Sequence, residues 1–434
     1  MQHDFSAAEA VVRDALGQVF PAAQVVVRRG GATLWSAAHG WLDPETQTRP
    51  ATADTLFDLA SVTKLFVVTA FMTLVEEGRA GLDQPVAAVL PEFAGARPIQ
   101  AYDDPLKPGA TVAVAWAAGG SPATHVDAGR VTFRHLLTHT SGLPAWRPLY
   151  KAESHHVPGT SQVPGTSAAA ARQAALTTYF SYPTGTRIIY SDLGLILLGM
   201  AIERLTGQSL DAAVAQRVTG PLGLTATRYL QISKSANGRN GGPRCQHIGS
   251  SANANTQHAI RNIAPTEFCA WRGRRIIGEV HDENAAGLDG VAGHAGLFST
   301  ASELAAFGET FLANQQIGKS ANQSTGETDY ALRTTHHALL PPATLAEMTR
   351  VQAQDGATRR GIGFALWSPD PEASSNPFSE RAFGHTGFTG TSLWMDPERD
   401  LTVAVCTNRV YYGRDAGGIL AFRVALHRAI VEAL

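Results

Sequence analysis

Ser61-Val62-Thr63-Lys64 is the most informative stretch of this sequence, and it runs directly into a long apolar segment, Leu65 to Val75. Residues three apart lie on one face of a helix, so Lys64 can reach the Ser61 hydroxyl at the start of that helix. A lysine beside apolar residues, near the positive end of the helix dipole, loses its proton more easily than an exposed lysine. We therefore predict that Ser61 is a nucleophile and that neutral Lys64 is its base.

The segment before Ser61 supports this interpretation. Thr55 to Ala60 is mostly apolar and indicates an extended approach that turns directly into the helix. A nucleophile at such a junction faces a cleft, and its backbone N–H points the same way. Ser-x-x-Lys alone is a weak signal, because it more often marks a helix cap followed by a solvated lysine.

The composition limits the classes of function. The chain has 434 residues, of which 44% are hydrophobic and 17% charged, which is enough for one large domain or two. Its formal net charge of -2 gives no electrostatic reason to expect nucleic acid or an anionic membrane as partner. We expect a small-molecule or peptide-like substrate, no membrane span and no nucleic acid. The oligomeric state stays open.

Cysteine usage and the N-terminus bear on the compartment. The three cysteines, Cys245, Cys269 and Cys406, are widely spaced and odd in number, which does not suggest a disulfide framework. The N-terminus lacks a basic region followed by an apolar region. We expect a cytoplasmic protein from the sequence as it stands, or a periplasmic or secreted one if a leader has been removed.

Periodicity predicts the order of the elements. Apolar spacing indicates helices and alternation indicates strands. The predicted helices are Ala7 to Val19, the Ser61 helix, Thr132 to His139, Leu193 to Thr206 and Ile419 to Leu434; the predicted strands are Gln24 to Val27, Thr33 to Ala38, Ala382 to Met395 and Leu401 to Thr407. The polar stretches 157–167 and 237–257 are predicted loops. The pattern favours a mixed α/β fold, with an antiparallel sheet covered by helices from both chain ends.

We predict two parts in the chain. Residues 1–108 and 288–434 would form a discontinuous α/β sheet domain. Residues 109–287 would form a mainly helical insert with long loops, and a catalytic cleft would lie between the two parts.

Tyr190-Ser191-Asp192 follows a turn and precedes the helix that starts near Leu193. Taken alone, the motif is typical of a tyrosine ring packed in the core and an aspartate that caps the helix. Together with Ser61 and Lys64 the catalytic interpretation becomes the stronger one, because a cationic neighbour lowers the pKa of a phenol and makes it a usable base.

His385-Thr386-Gly387 opens a predicted strand that also carries Gly390. Glycines remove side chains from a strand edge and let the backbone approach a ligand closely, although a bulge is the alternative explanation. His385 adds a group that can titrate near neutral pH.

These three motifs, in this order, resemble those of the serine β-lactamase and penicillin-binding-protein superfamily. The resemblance is strongest to the branch of class C β-lactamases, D,D-carboxypeptidases and family VIII esterases. Three further segments also resemble this family: Leu136 to Pro144, Gly293 to Thr300 and Gly384 to Asp396. The resemblance implies a β-lactamase/transpeptidase-like fold and catalysis without a cofactor.

The resemblance also implies a role for each matching residue. Ser61 would attack and carry the acyl group, Lys64 would share its proton, and Tyr190 would be the general base. The backbone N–H groups of Ser61 and Phe388 would form the oxyanion hole. The implied substrate-binding residues are Asp192, His385, Thr386, Gly387 and Phe388.

Two positions depart from the family pattern. The second motif usually ends in asparagine, whereas ionised Asp192 has only acceptors to offer a substrate. The third motif usually begins with lysine, whereas His385 is mostly neutral above its pKa. We therefore predict a serine hydrolase that cleaves a carboxylester, a D-Ala-D-Ala-type peptide or a β-lactam, with ester or peptide cleavage favoured over efficient β-lactam hydrolysis.

Two alternatives stay open. One is a metal-dependent hydrolase that uses His281, Asp282 and His294, although their spacing matches no known zinc motif. The other is a non-catalytic or peptidoglycan/penicillin-binding module on the same fold. His135 and His139, four apart on a predicted helix, are expected to be hydrogen-bonded structural residues.

Overall fold

The computed structural model describes residues 3–104, 107, 109–113, 124–152, 168–230, 262–313, 339–415 and 417–434. The predicted loops at 157–167 and 237–257, together with Cys245, lie outside these residues. Both other cysteines, Cys269 and Cys406, are buried free thiols.

An antiparallel sheet of eight strands forms the centre of the fold. The described strands of all sheets, in chain order, are β1 (Ala22–Arg29), β2 (Ala32–Gly40), β3 (Phe57–Asp58), β4 (Ala96–Pro98), β5 (Tyr102–Asp103), β6 (Thr111–Val112), β7 (His125–Asp127), β8 (Arg228–Tyr229), β9 (Phe268–Cys269), β10 (Arg274–Arg275), β11 (Leu297–Ser299), β12 (Ala353–Asp355), β13 (Thr358–Arg360), β14 (Ala365–Leu366), β15 (Phe383–Thr386), β16 (Ser392–Asp396) and β17 (Leu401–Thr407). The large sheet has the order β12-β13-β14-β15-β16-β17-β1-β2. Pairing of β1 with β17 joins the two ends of the chain in one sheet.

The first hairpin follows from its turn residues. Gly30 and Gly31 both have positive φ, at 58° and 84°, which is the backbone that a two-residue hairpin turn with the correct twist requires. Strand β1 is apolar on both faces: Ala22 and Val26 belong to the central core, and Val25 contributes to the core beneath the terminal helices. Both faces of the sheet are therefore covered.

The described helices are α1 (Ser6–Ala15), α2 (Thr63–Glu76), α3 (Phe133–Leu137), α4 (Ala168–Leu176), α5 (Asp192–Thr206), α6 (Leu210–Val214), α7 (Glu283–Gly287), α8 (Ala301–Ala313), α9 (Pro342–Thr349) and α10 (Gly417–Glu432). Helix α8 packs on one face of the large sheet, and α1 and α10 share a core with the other face. Val12 of α1 and Phe422 and Leu426 of α10 share one core with β1, which confirms the predicted sheet covered by helices from both chain ends.

Helix α2, which follows the nucleophile, is apolar all round and is buried in the central core. Such a helix has no solvent face, so its position is fixed by packing on every side. The Phe66 ring, for example, stacks on Phe307 of α8 with centroids 3.8 Å apart. This rigid packing holds the start of α2, and with it Ser61, against the sheet.

Three predicted elements differ in the structure, and the first is the helix predicted at 7–19, which ends at Ala15. The helix predicted at 132–139 covers only Phe133–Leu137, because Thr132 and His135 form a capping box at its start and His139 adopts a positive φ of 59° just beyond its end. The strand predicted at 382–395 is two strands, β15 and β16, since the chain turns through Gly387 and Gly390, whose φ is 98°.

The division into two domains stays a prediction. All eight strands of the large sheet come from residues assigned to the sheet domain, and helices α3 to α6 come from the assigned insert. Within the described residues, no helix is both long and apolar enough to cross a membrane.

Candidate active site

The turn into α2 presents Ser61. Ala60, directly before it, has a positive φ of 45°, a strained conformation for a residue with a side chain. The turn is held by Asp58, whose carboxylate accepts hydrogen bonds from the N–H of Ala60 at 2.8 Å and of His281 at 2.7 Å. Burial raises the pKa of Asp58, and the two hydrogen bonds oppose that rise. The sequence alone gives Asp58 no role, because its partner His281 lies in a distant part of the chain.

Lys64 lies directly beside the nucleophile, as predicted. Its Nζ donates to Ser61 Oγ at 2.7 Å and to the carbonyl of His294 at 3.2 Å. The ammonium also pairs with Asp192 Oδ1 at 2.8 Å. Only 1% of Lys64 is exposed, so its ammonium is enclosed with these three partners.

The charge of Lys64 differs from the prediction. Burial lowers the pKa of Lys64, but the Asp192 carboxylate and the Tyr190 phenol outweigh it, and the net pKa lies above that of ordinary lysine. The prediction of a neutral amine in the resting site is therefore wrong. Its physical reason is Asp192, which begins α5 and points its carboxylate at the ammonium instead of at solvent.

Tyr190 completes the group around Lys64. Lys64 Nζ lies 4.8 Å from the centroid of its ring. Burial raises the pKa of Tyr190, and Lys64 offsets this only partly, so the predicted lowering of the phenol pKa is also wrong. Side-chain hydrogen bonds with Lys64 and Ser61 also act on this pKa and lower it. In the resting site Tyr190 is thus a neutral phenol beside a cation.

His139 contacts two residues of the second motif, Tyr190 and Ser191. Its ring packs on Tyr190 with centroids 4.6 Å apart, and its Nδ1 accepts a hydrogen bond from the N–H of Ser191 at 3.1 Å. Its carbonyl accepts from the hydroxyl of Tyr182 at 3.0 Å. The expected structural roles are confirmed for His139, which is buried, and for His135, which caps α3.

The third motif lies against the turn that carries Ser61. A Cβ on Gly387 would lie 2.6 Å from the carbonyl oxygen of Leu59 and 3.4 Å from Cβ of Ala60. The end of β15 therefore approaches the turn so closely that only glycine fits. The three motifs meet around one hydroxyl, one amine and one phenol, although they are distant in sequence.

His385 is buried inside this arrangement and is not a surface cation. It is 3% exposed, its Nδ1 hydrogen-bonds the Thr386 carbonyl at 2.8 Å, and its ring lies 5.8 Å from that of Tyr190. Burial, together with the nearby charges of Lys64 and Arg360, holds the pKa of His385 well below 6.5. The expectation that it titrates near neutral pH is wrong.

Arg423 of α10 fixes the peptide group between Gly387 and Phe388. This buried guanidinium donates to the carbonyl of Gly387 at 2.8 Å and to that of Thr391 at 2.9 Å. Because the C=O and N–H of a trans peptide point in opposite directions, Arg423 also sets the direction of the Phe388 N–H. The guanidinium carbon of Arg409 lies 4.4 Å from the centroid of the Phe388 ring, and the His281 ring stacks on Phe388 with centroids 5.7 Å apart. Thr386 is half-buried at the end of β15.

Asp282 and His294 form a pair behind Lys64. His294 Nε2 lies 2.8 Å from Asp282 Oδ1, and the two residues can bring ligand atoms within 4.8 Å of one on Asp192. His281, the third residue of the metal alternative, instead contacts Glu267 at 3.1 Å. Each carboxylate of this cluster already has a side-chain partner, since Asp192 pairs with Lys64 and Asp282 with His294.

A substitution at Gly387 tests the close approach. Gly387→Ala is expected to lower kcat/KM by about 100-fold, because a displacement of the turn by even 1 Å disturbs the geometry at Ser61. Gly81→Ala is the matched control, since a Cβ there makes only ordinary contacts, the nearest at 3.7 Å. Equal activities of the two variants against a chromogenic ester would contradict this placement of the third motif.

Comparison with known proteins identifies relatives of this chain. A family described as Beta-lactamase matches residues 8–426. The N-acetylmuramyl-L-alanine amidase of Bacillus subtilis (strain 168) is 31% identical over 398 residues, which cover 90% of this chain and 77% of the relative. A putative D-alanyl-D-alanine carboxypeptidase of Escherichia coli (strain K12) is 29% identical, over 89% of this chain and 76% of the relative.

Solved structures share the fold. EstCE1, a hydrolase with promiscuous acyltransferase activity, superposes with a TM-score of 0.63 at 20% identity, over 98% of this chain and 97% of that protein. A penicillin-binding protein homologue from Caulobacter crescentus gives the same TM-score at 20% identity, over 99% and 97% of the two chains. With the family match extending over nearly the whole sequence, the chain belongs to the beta-lactamase family.

Proposed function

We propose that this protein is a serine hydrolase that cleaves an ester or amide bond through an acyl-enzyme on Ser61. The observation that carries the proposal is the 2.7 Å contact between Lys64 Nζ and Ser61 Oγ, with Asp192 and Tyr190 beside the same ammonium. A nucleophile in contact with a proton-transfer group, which is itself oriented by a third group, is the arrangement that covalent catalysis needs.

The reaction requires that the site first lose one proton. With Lys64 charged and Tyr190 neutral, neither group can accept the proton of Ser61. The active form lacks one proton on the Lys64–Tyr190 pair, which then takes the Ser61 proton as Oγ bonds to the substrate carbonyl carbon. The same pair returns the proton to the leaving group as the bond to that group breaks. Water then attacks the acyl-enzyme with the same proton transfers, which releases the acid and regenerates Ser61.

Backbone donors would stabilise the charge that develops on the carbonyl oxygen. The N–H groups of Ser61 and Phe388 are the proposed oxyanion hole. The strained turn at Ala60 and the contact of Gly387 with Leu59 hold the two donor segments against each other. Arg423 orients the second donor through the carbonyl of Gly387.

The substrate class follows from the charges in the site and from the relatives. Asp192 is engaged with Lys64 and offers no amide donor to an acylamino side chain. His385 is neutral and offers no fixed cation. These features favour an ester or a peptide-type amide over a β-lactam. The relatives named as an amidase and a carboxypeptidase favour a cell-wall peptide, and thus action outside the cytoplasmic membrane.

A substrate panel tests the proposal. Wild type and Ser61→Ala would be compared on short-chain p-nitrophenyl esters, D-alanyl-D-alanine peptides and nitrocefin, with and without a chelator. We expect Ser61-dependent turnover of an ester or a peptide, weak turnover of nitrocefin, and no effect of chelation. Turnover that survives in Ser61→Ala would support a non-catalytic fold with contaminant activity, and loss on chelation would support the metal alternative.

The ion pair makes a prediction about pH. Because Lys64 keeps its proton through neutral pH, the active fraction grows as pH rises, and kcat/KM should increase on the alkaline side. Removing the Asp192 charge takes away the main cause that raises the pKa of Lys64, while burial still lowers it. Asp192→Asn should therefore move the alkaline rise to lower pH.

The pH–rate profile of kcat/KM on a neutral ester provides the measurement. Asp14→Asn, at an exposed position of α1, is the matched control and should keep the wild-type profile. If Asp192→Asn left the profile in place or moved it to higher pH, Asp192 would not be the group that holds Lys64 protonated.

A further inference from the structure

Arg423, on α10, is a buried cation that no carboxylate among the described residues neutralises. It is 4% exposed, and its Nε is enclosed without a hydrogen-bond partner in the described part of the chain. Burial, and after it the positive charge of Arg409, lower the pKa of Arg423 to about 9, so the group stays charged at neutral pH. By contrast, the enclosed side chain of Arg272 has Glu279 at 3.6 Å. A buried cation without a carboxylate is costly, so its retention indicates a use for the charge.

The two carbonyls that Arg423 contacts do not depend on it for their hydrogen bonding. Its Nη2 donates to the carbonyls of Gly387 and Thr391, at 2.8 Å and 2.9 Å. Backbone N–H groups reach the same carbonyls, since Gly390 donates to Gly387 at 3.0 Å and Gly387 donates to Thr391 at 2.6 Å. A neutral side chain at position 423 would therefore leave neither carbonyl without a donor. What Arg423 adds beyond these hydrogen bonds is a positive charge.

A second cation lies against the same segment. Arg409 Nε donates to the carbonyl of Phe388 at 2.7 Å, and its guanidinium is buried as well. Asp415 and Glu267 supply negative charge around Arg409 and act to raise its pKa, whereas burial lowers it to about 10. The two carbonyls that flank the Phe388 N–H along the backbone thus each accept from a guanidinium. This concentration of positive charge lies at the segment that carries the second proposed oxyanion donor.

Arg423 acts on the Phe388 N–H through one peptide group. The carbonyl of Gly387 and the N–H of Phe388 belong to the same planar unit. A cation at the carbonyl oxygen polarises that unit and makes its N–H a stronger donor. An oxygen bound to this N–H would lie about 7 Å from the Arg423 Nη2 nitrogen, from bond lengths along the path. At that distance, in a partly desolvated site, a positive charge still attracts a developing negative charge appreciably.

We propose that the positive charge of Arg423 strengthens the Phe388 N–H as an oxyanion donor and so lowers the barrier to acyl transfer. The inference rests on the proposed function, in which this N–H is the second donor of the oxyanion hole. Arg423 does not touch the substrate and is a positioning residue whose charge acts through the peptide between Gly387 and Phe388. Because no carboxylate of the described chain neutralises it, that charge remains available to the oxyanion.

Replacement of the charge should slow the reaction more than it weakens substrate binding. Arg423→Gln is expected to lower kcat and kcat/KM by a similar factor, about 30-fold, because the charge acts only as the oxyanion forms. Arg423→Lys, which keeps a cation, should retain most of the wild-type rate. The exposed Arg428→Gln, on the same helix, is the matched control and should keep the wild-type kinetics. The measurement is kcat and KM on a neutral p-nitrophenyl ester.

Chemical rescue separates the effect of charge from that of shape. Arg423→Ala leaves a cavity that methylguanidinium and methylurea can both fill, since the two molecules have a similar size and similar N–H donors. Only methylguanidinium carries a charge. We expect it to raise kcat/KM of Arg423→Ala by about tenfold, and methylurea to raise it much less. Wild type with the same additives corrects for their effect on the assay.

The outcomes decide between charge and shape. Equal rescue by the two additives would show that Arg423 serves only the shape of the turn and would overturn the inference. If neither additive restores activity, or if Arg423→Ala does not fold, the comparison of Arg423→Gln with Arg423→Lys decides, and equal activities of these two variants would overturn the inference. Turnover that persists in Ser61→Ala would overturn the proposed function itself, which keeps the two failures distinct.

Discussion

Ser61→Ala is expected to lower kcat/KM on any accepted ester or amide on the order of 10,000-fold or more, the scale seen when a serine nucleophile is removed. The reason is structural as well as chemical. The Ser61 hydroxyl is the group that Lys64 contacts at 2.7 Å, and its replacement leaves the proton-transfer pair without a nucleophile. The residual rate would come from binding and the oxyanion donors alone.

That experiment must distinguish a loss of catalysis from a loss of folding. Ser61 is only half-buried and its side chain is small, so Ser61→Ala should melt close to wild type. Ser36→Ala, at an exposed position on β2, is the matched control and should keep full activity. A Ser61→Ala protein that folds normally and turns over substrate within tenfold of wild type would exclude Ser61 as nucleophile.

Lys64→Met should cause the second-largest loss, about 1,000-fold in kcat/KM, the scale of general acid–base catalysis. Methionine keeps an apolar stem of similar length but removes the group that contacts Ser61 Oγ. The exposed Lys107→Met is the control and should leave kcat/KM unchanged.

A double variant distinguishes lost catalysis from lost stability. Lys64→Met leaves the Asp192 carboxylate, whose side chain is 19% exposed, without its cation, and this should lower the melting temperature. Adding Asp192→Asn removes the orphaned charge, so the double variant should melt above Lys64→Met while activity stays lost. Recovery of activity together with stability would mean that Lys64 is structural and not catalytic.

The sequence predicted the parts of the site that local patterns encode. Ser61 and Lys64 share a helix turn, Tyr190 precedes an apolar helix, and Gly387 lies on a strand edge, so each motif is visible within a few residues. Their spatial convergence could be inferred only from the resemblance to a known family. The structure brings all three together, with Gly387 packed on Leu59 and Tyr190 on Lys64.

Protonation states could not be predicted in this way. Apolar neighbours of Lys64 in sequence suggested a neutral amine, but the charge is decided by Asp192, a residue 128 positions away that lies 2.8 Å from it. The same applies to His385, whose burial and cationic neighbours Lys64 and Arg360 come from other elements. Electrostatics depend on the full set of neighbours in space, which one sequence does not reveal.

Supporting residues were missed for a related reason. Asp58, Arg360 and Arg423 lie in β3, β13 and α10, and none belongs to a recognisable short motif. Each acts through contacts with segments far away in the chain: Asp58 with His281, Arg360 with Tyr190, and Arg423 with Gly387. A buried charge at an otherwise apolar position is the one available signal, and burial itself has to be known first.

Covalent labelling of Ser61 would show directly that this residue is the nucleophile. The protein would be incubated with a serine-directed fluorophosphonate and then examined by intact mass and peptide mapping. We expect one added group per chain, located on Ser61, its absence in Ser61→Ala, and much slower addition in Lys64→Met. Labelling of a different residue, or equal labelling of wild type and Ser61→Ala, would contradict it.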